Sequence, residues 1–305
     1  MGWLLTAELR KLWRPLVWGA VAATAAFLVL LAWAAANNAR GGLASPRVPD
    51  VCAGSAAPAC RPAISRAHRD ARTAALATST LEQPGAVGQV AAGMLASLPG
   101  VLLTALVAGG HWGGEWGSRT IRSLLTREGR RGRVLLAKWL TVWAAGIAAL
   151  IVCWAVLAAL APLISASAGL PAPGPAAAAW HGLGASAAAA GHAVVVLGLF
   201  SAVGVAAGTV ARGQLAATAV AAGALLVTLV LASAGGIGAW SPASFVQAWM
   251  GFGPAGSGYL PASFWSRFIS GSAHLGELAG LAGIAVTVAV LAAVARWQLA
   301  RDVTT

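Results

Sequence analysis

Residues 139–163 read WLTVWAAGIAALIVCWAVLAALAPL and contain no Asp, Glu, Lys or Arg. A helix needs about 20 such residues to cross the hydrocarbon core of a bilayer, which is roughly 30 Å thick. The whole chain of 305 residues is 59% hydrophobic and only 9% charged, which is too apolar for a soluble domain of this size. The sequence therefore predicts an all-α fold, that of a polytopic membrane protein.

Other uncharged runs recur along the chain, at 15–39, 83–114, 139–211, 213–266 and 278–295. The two longest must be divided, and the Pro- and Gly-rich stretches 171–175 and 251–261 indicate turns where they divide. We therefore predict six transmembrane helices in a single domain, at 16–36, 88–110, 139–163, 187–210, 214–234 and 278–295.

The basic residues predict the orientation of these helices, because cytoplasmic loops retain Lys and Arg. With the N-terminus inside, the cytoplasmic pieces hold 13 of the 20 Lys and Arg in 55 residues. We therefore expect the loop 113–133 and the tail 296–305 in the cytoplasm. The segments 37–87 and 235–276 are expected outside, with room for a re-entrant turn in the second. The predicted location is the plasma membrane of a bacterium.

The N-terminal segment 1–14 has a helical pattern of its own. The apolar residues Leu5, Leu9, Leu12 and Trp13 share one face, and Glu8, Arg10 and Lys11 lie on the other. Such a helix is expected to lie flat in the membrane interface, with its cations toward anionic lipid headgroups. The alternative is an ordinary charged flank of the first span.

The stretch before the quoted span, EWGSRTIRSLLTREGRRGRVLLAK at 115–138, holds seven of the 20 Lys and Arg. Its spacing predicts a short amphipathic helix with an apolar strip of Thr120, Ile121, Leu124 and Leu125. The basic residues Arg119 and Arg122 lie across from that strip. Glu115 is expected in the first helical turn, where a carboxylate suits the helix dipole. Either the strip is buried against a partner, or the loop serves only as a topology signal.

Signals of catalysis are missing from the sequence. A phosphate-binding Walker loop needs Gly-Lys followed by Ser or Thr, and neither Lys11 nor Lys138 follows a glycine. There is no HExxH or GxSxG motif, the histidines show no metal-ligand spacing, and no basic face with aromatic stacking positions predicts a nucleic-acid partner. We therefore expect neither an enzyme nor a metal site. His192 is the one histidine inside a predicted span. It is either a functional group or a neutral imidazole that is hydrogen-bonded to a neighbouring helix.

The cysteines and glycines give two further predictions. Cys52 and Cys60 lie in the loop assigned outside, where disulfides persist, and are expected to be bonded to each other. The pairs Gly204 with Gly208 and Gly276 with Gly280 have the GxxxG spacing that lets helix backbones approach closely. These faces are expected either at a dimer contact or in packing within one subunit.

Three stretches, 7–14, 115–138 and 204–219, follow one another in the order expected for the permease subunits of type-2, exporter-type ATP-binding-cassette (ABC) transporters, and each resembles the corresponding part of that family. AELRKLWR at 7–14 is similar to the family's elbow helix, and 204–219 to the junction of its fourth and fifth spans. The loop 115–138 resembles the family's first cytoplasmic loop in Glu115, Thr120, Leu124, Leu125, Thr126, Arg131, Ala137 and Lys138. Members often have Gly before the Thr and Pro near position 129, whereas this chain has Arg119 and Gly129.

The resemblance implies a permease that binds no cofactor itself and pairs with a cytoplasmic ABC ATPase, which holds ATP and Mg. A second permease copy or paralogue would complete the unit, surrounded by membrane lipid. The loop helix would be the coupling helix, with its apolar strip in the ATPase and Glu115 capping that helix or paired with Arg10 or Lys11. The nearly uncharged spans favour export of an apolar or amphipathic substrate, such as a drug or lipid. The alternatives are an ATP-independent secondary transporter or channel, and a membrane-embedded enzyme.

Overall fold

The computed structural model describes Thr6, Arg10 and residues 15–44, 60–62, 64–65, 87–118, 120–127, 130–167, 169, 182–233, 238, 240–250 and 275–301. All regular structure in these segments is helical, which confirms the all-α part of the predicted fold class. In chain order the helices are α1 Pro15–Ala44, α2 Val87–Leu95, α3 Leu98–Gly117, α4 Thr120–Arg127, α5 Arg131–Ser167, α6 Leu183–Ala211, α7 Gln214–Ser233, α8 Pro242–Trp249 and α9 Glu277–Arg301.

Four helices are long and apolar enough to cross a membrane: α5, α6, α7 and α9. A fifth candidate arises if α2 and α3 form one span that is bent by 55° at its break. Within α1, Val21–Ala34 is a shorter apolar stretch. Among the residues described, length and composition therefore agree with a multi-pass membrane protein.

The second predicted span, 88–110, is not the continuous helix that we expected. It breaks between Leu95 and Leu98, and Pro99 lies in the first turn of α3, where its missing N–H costs nothing. At the other end α3 continues to Gly117. Glu115 therefore belongs to the last turn of this span helix, which corrects its assignment to the first turn of the loop helix.

The helix α5 begins at Arg131 rather than at 139, so the loop before it is shorter than the predicted 113–133. The helices α6 and α7 agree closely with the predicted 187–210 and 214–234. The helix α9 continues past the predicted 295 to Arg301. The segment 235–276 contains α8, a helix too short to span, and its residues 251–274 lie outside the described part of the chain.

The chain forms two compact units, residues 1–20, 92–151 and 189–305 in the first and 21–91 and 152–188 in the second. In the second unit Gly88 lies against Ser186, where an added Cβ would come within 2.7 Å of the serine Cβ. In the first unit α3 runs antiparallel to α7, since Gly109 lies against Ala217 and Gly113 against Gly213.

The helix α6 lies at the centre of the packing, because 78% of its most apolar part is buried, against 17% to 28% for α5, α7 and α9. Gly204 lies against Ala108, and Gly208 lies against Trp112. From α5, the indole nitrogens of Trp139 and Trp143 donate to carbonyls of α6 at 2.8 and 2.7 Å. Gly204 and Gly208 thus pack within the chain. Of the two alternatives predicted for them, a dimer contact and packing within one subunit, the structure shows the second.

The other glycine pair has a mixed outcome. An added Cβ at Gly280 would come within 2.7 Å of the Trp249 backbone nitrogen, so this glycine lets α8 approach α9 closely. An added Cβ at Gly276 would meet nothing within 4 Å. Neither observation bears on a second copy of the chain, so the dimer stays a prediction.

The outer surfaces of α7 and α9 carry large apolar side chains that the rest of the chain leaves uncovered. Leu226 and Val230 of α7 are 62% and 67% exposed, and Val286 and Val290 of α9 are 63% and 55% exposed. Monomeric soluble proteins rarely show contiguous apolar faces of this kind. Surfaces like these suit the hydrocarbon of a bilayer.

Candidate functional site

An ion pair joins the two ends of the basic stretch 115–138. The Nζ of Lys138, on α5, donates to Oε1 of Glu115, at the end of α3. The Lys138 side chain is only 1% exposed and that of Glu115 11%. The ring of Trp112 lies 5.5 Å from the ammonium, at cation–π distance. A charge buried this deeply must be paired, so the contact fixes the start of α5 against the end of α3.

The turn between α3 and α4 is short and bonded to the end of α3. The backbone nitrogen of Ser118 donates to the carbonyl of Gly114 at 3.0 Å. The hydroxyl of Thr120 donates to the carbonyl of Glu115 at 3.3 Å. The helix α4 is therefore attached directly to the residue that pairs with Lys138.

The apolar side of α4 is buried inside the chain itself. Ile121 is 1% exposed, and Leu125 packs against the same cluster. The cluster draws residues from five helices, α3, α4, α5, α6 and α9: Ala108, Trp112, Ile121, Val134, Leu135, Val142, Val205, Ala295 and Leu299. Ile121 was predicted to contact a partner protein, and its burial in this core corrects that prediction.

The opposite side of α4 faces outward. Thr120, Ser123 and Thr126 are exposed and follow each other three residues apart. Ser123 donates to the carbonyl of Thr120 at 2.8 Å, and Thr126 donates to that of Ser123 at 3.0 Å, so their hydroxyls are satisfied within the helix. Arg119 lies outside the described residues, as do the side chains of Arg122 and Leu124.

Arginines surround this end of the helices. The Nη1 of Arg131 donates to the carbonyl of Leu299 at 2.7 Å, in the last turn of α9, where a cation suits the helix dipole. Arg212, in the junction between α6 and α7, has a left-handed backbone with φ of 53°. Its guanidinium lies 5.6 Å from the ring of Trp116. We call this end of the helices the basic end; it comprises α4, the start of α5 with Arg131, the junction at Arg212 and the last turn of α9.

The elbow segment is mostly outside the described residues, including Glu8 and Lys11. Arg10 is exposed. The partner predicted for Glu115 was Arg10 or Lys11; the structure pairs Glu115 with Lys138, and because Lys11 lies outside the described residues the contact with the elbow stays a prediction. Sequence analysis missed this partner although the signal was present, because a lone lysine at the entry to an uncharged span needs an anion.

The cysteines separate into two kinds. Cys153, in α5, is a free and buried thiol. Cys60 is disulfide-bonded, and its predicted partner Cys52 lies outside the described residues. The Cys52–Cys60 pairing stays a prediction.

Chemically, the basic end joins helices: Lys138 pairs with Glu115, and Arg131 donates to a carbonyl at the end of α9. Within the described residues no group of three or more His, Cys, Asp and Glu is placed to hold a metal ion. Comparison with protein-family models, with curated proteins and with solved structures finds no match to this chain.

Proposed function

We propose that this chain is the permease subunit of an ABC exporter, with α4 as the coupling helix that a separate cytoplasmic ATPase engages. The observation that carries the proposal is the buried Glu115–Lys138 pair, which holds α4 in a fixed place between two candidate spans. A loop that only had to remain in the cytoplasm would need no such pair. The sequence motif and the three-dimensional contact thus involve the same two residues.

The direction of the helices supports the placement of α4 in the cytoplasm. The end of α9 meets the start of α5 at Arg131, and the end of α3 meets the start of α7 near Gly213. The helices α3, α6 and α9 therefore all end where α5 and α7 begin. This end carries the arginines and the lysine of 115–138, and cytoplasmic ends are the ones that keep such residues. In the proposed six-span layout, α1 and the bent pair α2–α3 supply the first two spans.

The buried side of α4 gives the proposal its mechanism. Ile121 shares a core with Val134 of α5 and Leu299 of α9, so α4 cannot shift without repacking both helices. A push on the outward side, at Thr120, Ser123 and Thr126, would therefore reach two membrane helices together. The absence of a Walker loop from the sequence assigns ATP hydrolysis to the partner.

The proposal is tested by looking for an ABC ATPase gene beside the gene of this chain and by copurifying the chain with the ATPase found there. Ser123→Trp puts a bulky side chain on the outward side of α4, and it should abolish copurification and ATP-driven export. Ser233→Trp is a matched control, since Ser233 is also exposed and also donates to the carbonyl three residues earlier at 2.8 Å. Ser233 lies at the far end of α7, so this variant should bind the ATPase normally.

A second pair of variants extends the test. Leu124→Asp should leave the chain inserted in the membrane but release the ATPase, because a carboxylate at the contact loses hydration without gaining a partner. Arg40→Asp, in α1, should leave copurification with the ATPase unchanged. Normal assembly and transport by both Ser123→Trp and Leu124→Asp would leave α4 as a topology signal only. Transport that needs no ATPase would favour the secondary transporter.

A further inference from the structure

Three side chains from different helices meet at the end of the helices opposite the basic end. The Nε2 of His192, in α6, lies 2.8 Å from Oε1 of Glu277, in the first turn of α9. The ring of Trp249, at the end of α8, lies 4.5 Å from the imidazole at 81°, edge to face. The indole nitrogen of Trp249 donates to the carbonyl of His192 at 3.0 Å, which fixes its orientation.

The position of this cluster along α6 places it near a membrane boundary. His192 precedes Arg212 of the basic end by roughly 20 residues, which is about 30 Å at 1.5 Å per residue. That distance matches the hydrocarbon thickness of a bilayer. The cluster thus lies at the face of the membrane opposite to the ATPase of the proposed function.

The cluster is open rather than sealed. The Glu277 side chain is 57% exposed and that of His192 28%. Beside each lies an exposed glycine, Gly276 and Gly191, and an added Cβ at either would meet nothing within 4 Å. Next to Glu277, Leu278 is 81% exposed. A ligand therefore has room beside the carboxylate, with an aromatic ring and an apolar side chain near it.

The charge of the site selects the kind of ligand. Glu277 is the one carboxylate that the described residues place at this end, in a chain whose net charge is +12. A carboxylate attracts a cation through an ion pair, and the Trp249 ring, which lies on the same histidine, attracts a cation through its quadrupole. We propose that Glu277, Trp249 and His192 form a recognition site for an amphipathic organic cation, the charged group at Glu277 and the apolar body along Trp249 and Leu278. This inference rests on the proposed function for its biological meaning, as the site of an exported substrate, but binding itself needs no ATPase.

The test uses two probes of the same shape and opposite charge, tetraphenylphosphonium and tetraphenylborate, on the purified full chain in lipid nanodiscs. The wild type should bind the phosphonium saturably and the borate only as much as empty nanodiscs do. Glu277→Gln should weaken phosphonium binding about tenfold, the loss of one charge-assisted contact, and Glu277→Asp should retain most of it. Trp249→Ala should weaken it as well, whereas Trp240→Ala, at an exposed tryptophan, should not.

The outcomes separate this inference from the proposed function. Equal binding of the two probes by the wild type, or unchanged phosphonium binding by Glu277→Gln, would overturn the site. Because the Asp variant keeps the charge, its retained binding shows that the Gln variant lost charge rather than fold. Charge-dependent binding by a chain that copurifies with no ATPase would support the site and contradict the proposed function. Normal assembly with the ATPase but no charge-dependent binding would support the proposed function and contradict the site.

Discussion

Arg131 donates a hydrogen bond to the carbonyl oxygen of Leu299, across 168 residues of sequence and 2.7 Å of space. The contact joins the first residue of α5 to the last turn of α9, and a second bond reaches the carbonyl of Ala300 at 3.4 Å. Carbonyls at the end of a helix have no partner within it, so the guanidinium satisfies groups that otherwise need water. The start of α5 is thereby held to the helix that ends beside it.

Replacing Arg131 should loosen this contact measurably. Arg131→Gln should lower the free energy of unfolding by about 1 kcal/mol, because the bonds are charge-assisted but half exposed. Thermal unfolding in detergent, followed by tryptophan fluorescence, measures the change. The exposed neighbour Arg130 provides the control, and Arg130→Gln should change stability by less than about 0.5 kcal/mol. Equal effects of the two substitutions would mean that the bond to α9 contributes nothing.

The Glu115–Lys138 pair should show strong coupling in a double-mutant cycle. Lys138→Met leaves the carboxylate buried beside an apolar group, and it should cost about 3 kcal/mol of stability. The double variant with Glu115→Gln should recover part of that loss, since it removes the buried carboxylate as well. The midpoint of thermal unfolding for the two single variants and the double variant provides the measurement. A double variant as unstable as the sum of the singles would contradict the coupling.

Gly208 should not tolerate a side chain. A Cβ there would come within 2.5 Å of Cδ1 of Trp112, so Gly208→Leu should cost about 1 to 3 kcal/mol through overpacking. Gly223→Leu is the matched control, because a Cβ at Gly223 in α7 meets nothing within 4 Å. Size-exclusion chromatography of both variants reports yield and oligomer size together. A well-folded Gly208→Leu chain of altered oligomer size would instead return this glycine to the dimer contact.

The predicted disulfide between Cys52 and Cys60 should be visible in intact cells. A membrane-impermeant maleimide should label the wild type only after reduction, and Cys52→Ser should expose the Cys60 thiol without it. Cys153 is buried and free in α5, and it should stay unlabelled until the chain is unfolded. Labelling that is independent of the reductant would leave two free thiols in this loop.

Helix positions could be predicted wherever a charge or a Pro and Gly cluster marks a boundary. The junction at Arg212 and Gly213, for example, separates α6 from α7 within a few residues of the predicted ends. The break between Leu95 and Leu98 was missed because it lies inside an uncharged run, where no change of composition accompanies it. The local signals there are a serine at the N-cap, Ser97, and the pair Pro99-Gly100, and they are easily overlooked within a long apolar run.

The contacts of the site could not be predicted from spacing alone. The amphipathic pattern of α4 shows that Ile121 has to be buried, but not whether its own chain or a partner buries it. The pairing of Glu115 with Lys138 spans two helices, and no local rule links them. Charge complementarity does indicate the class of partner, and the fold then decides which cation is close enough.

The central position of α6 has a consequence for the order in which the protein can be made. Trp139 and Trp143 of α5, and Trp112 of α3, are synthesised before α6, yet their hydrogen-bond acceptors and glycine clefts belong to it. In a bilayer an indole N–H without an acceptor is costly, so the early helices have no settled arrangement until Gly208 has left the ribosome. A nascent chain halted near residue 180 would therefore lack the helix on which α3 and α5 pack. The packing of α3 and α5 is therefore expected to be completed late, once α6 has been synthesised.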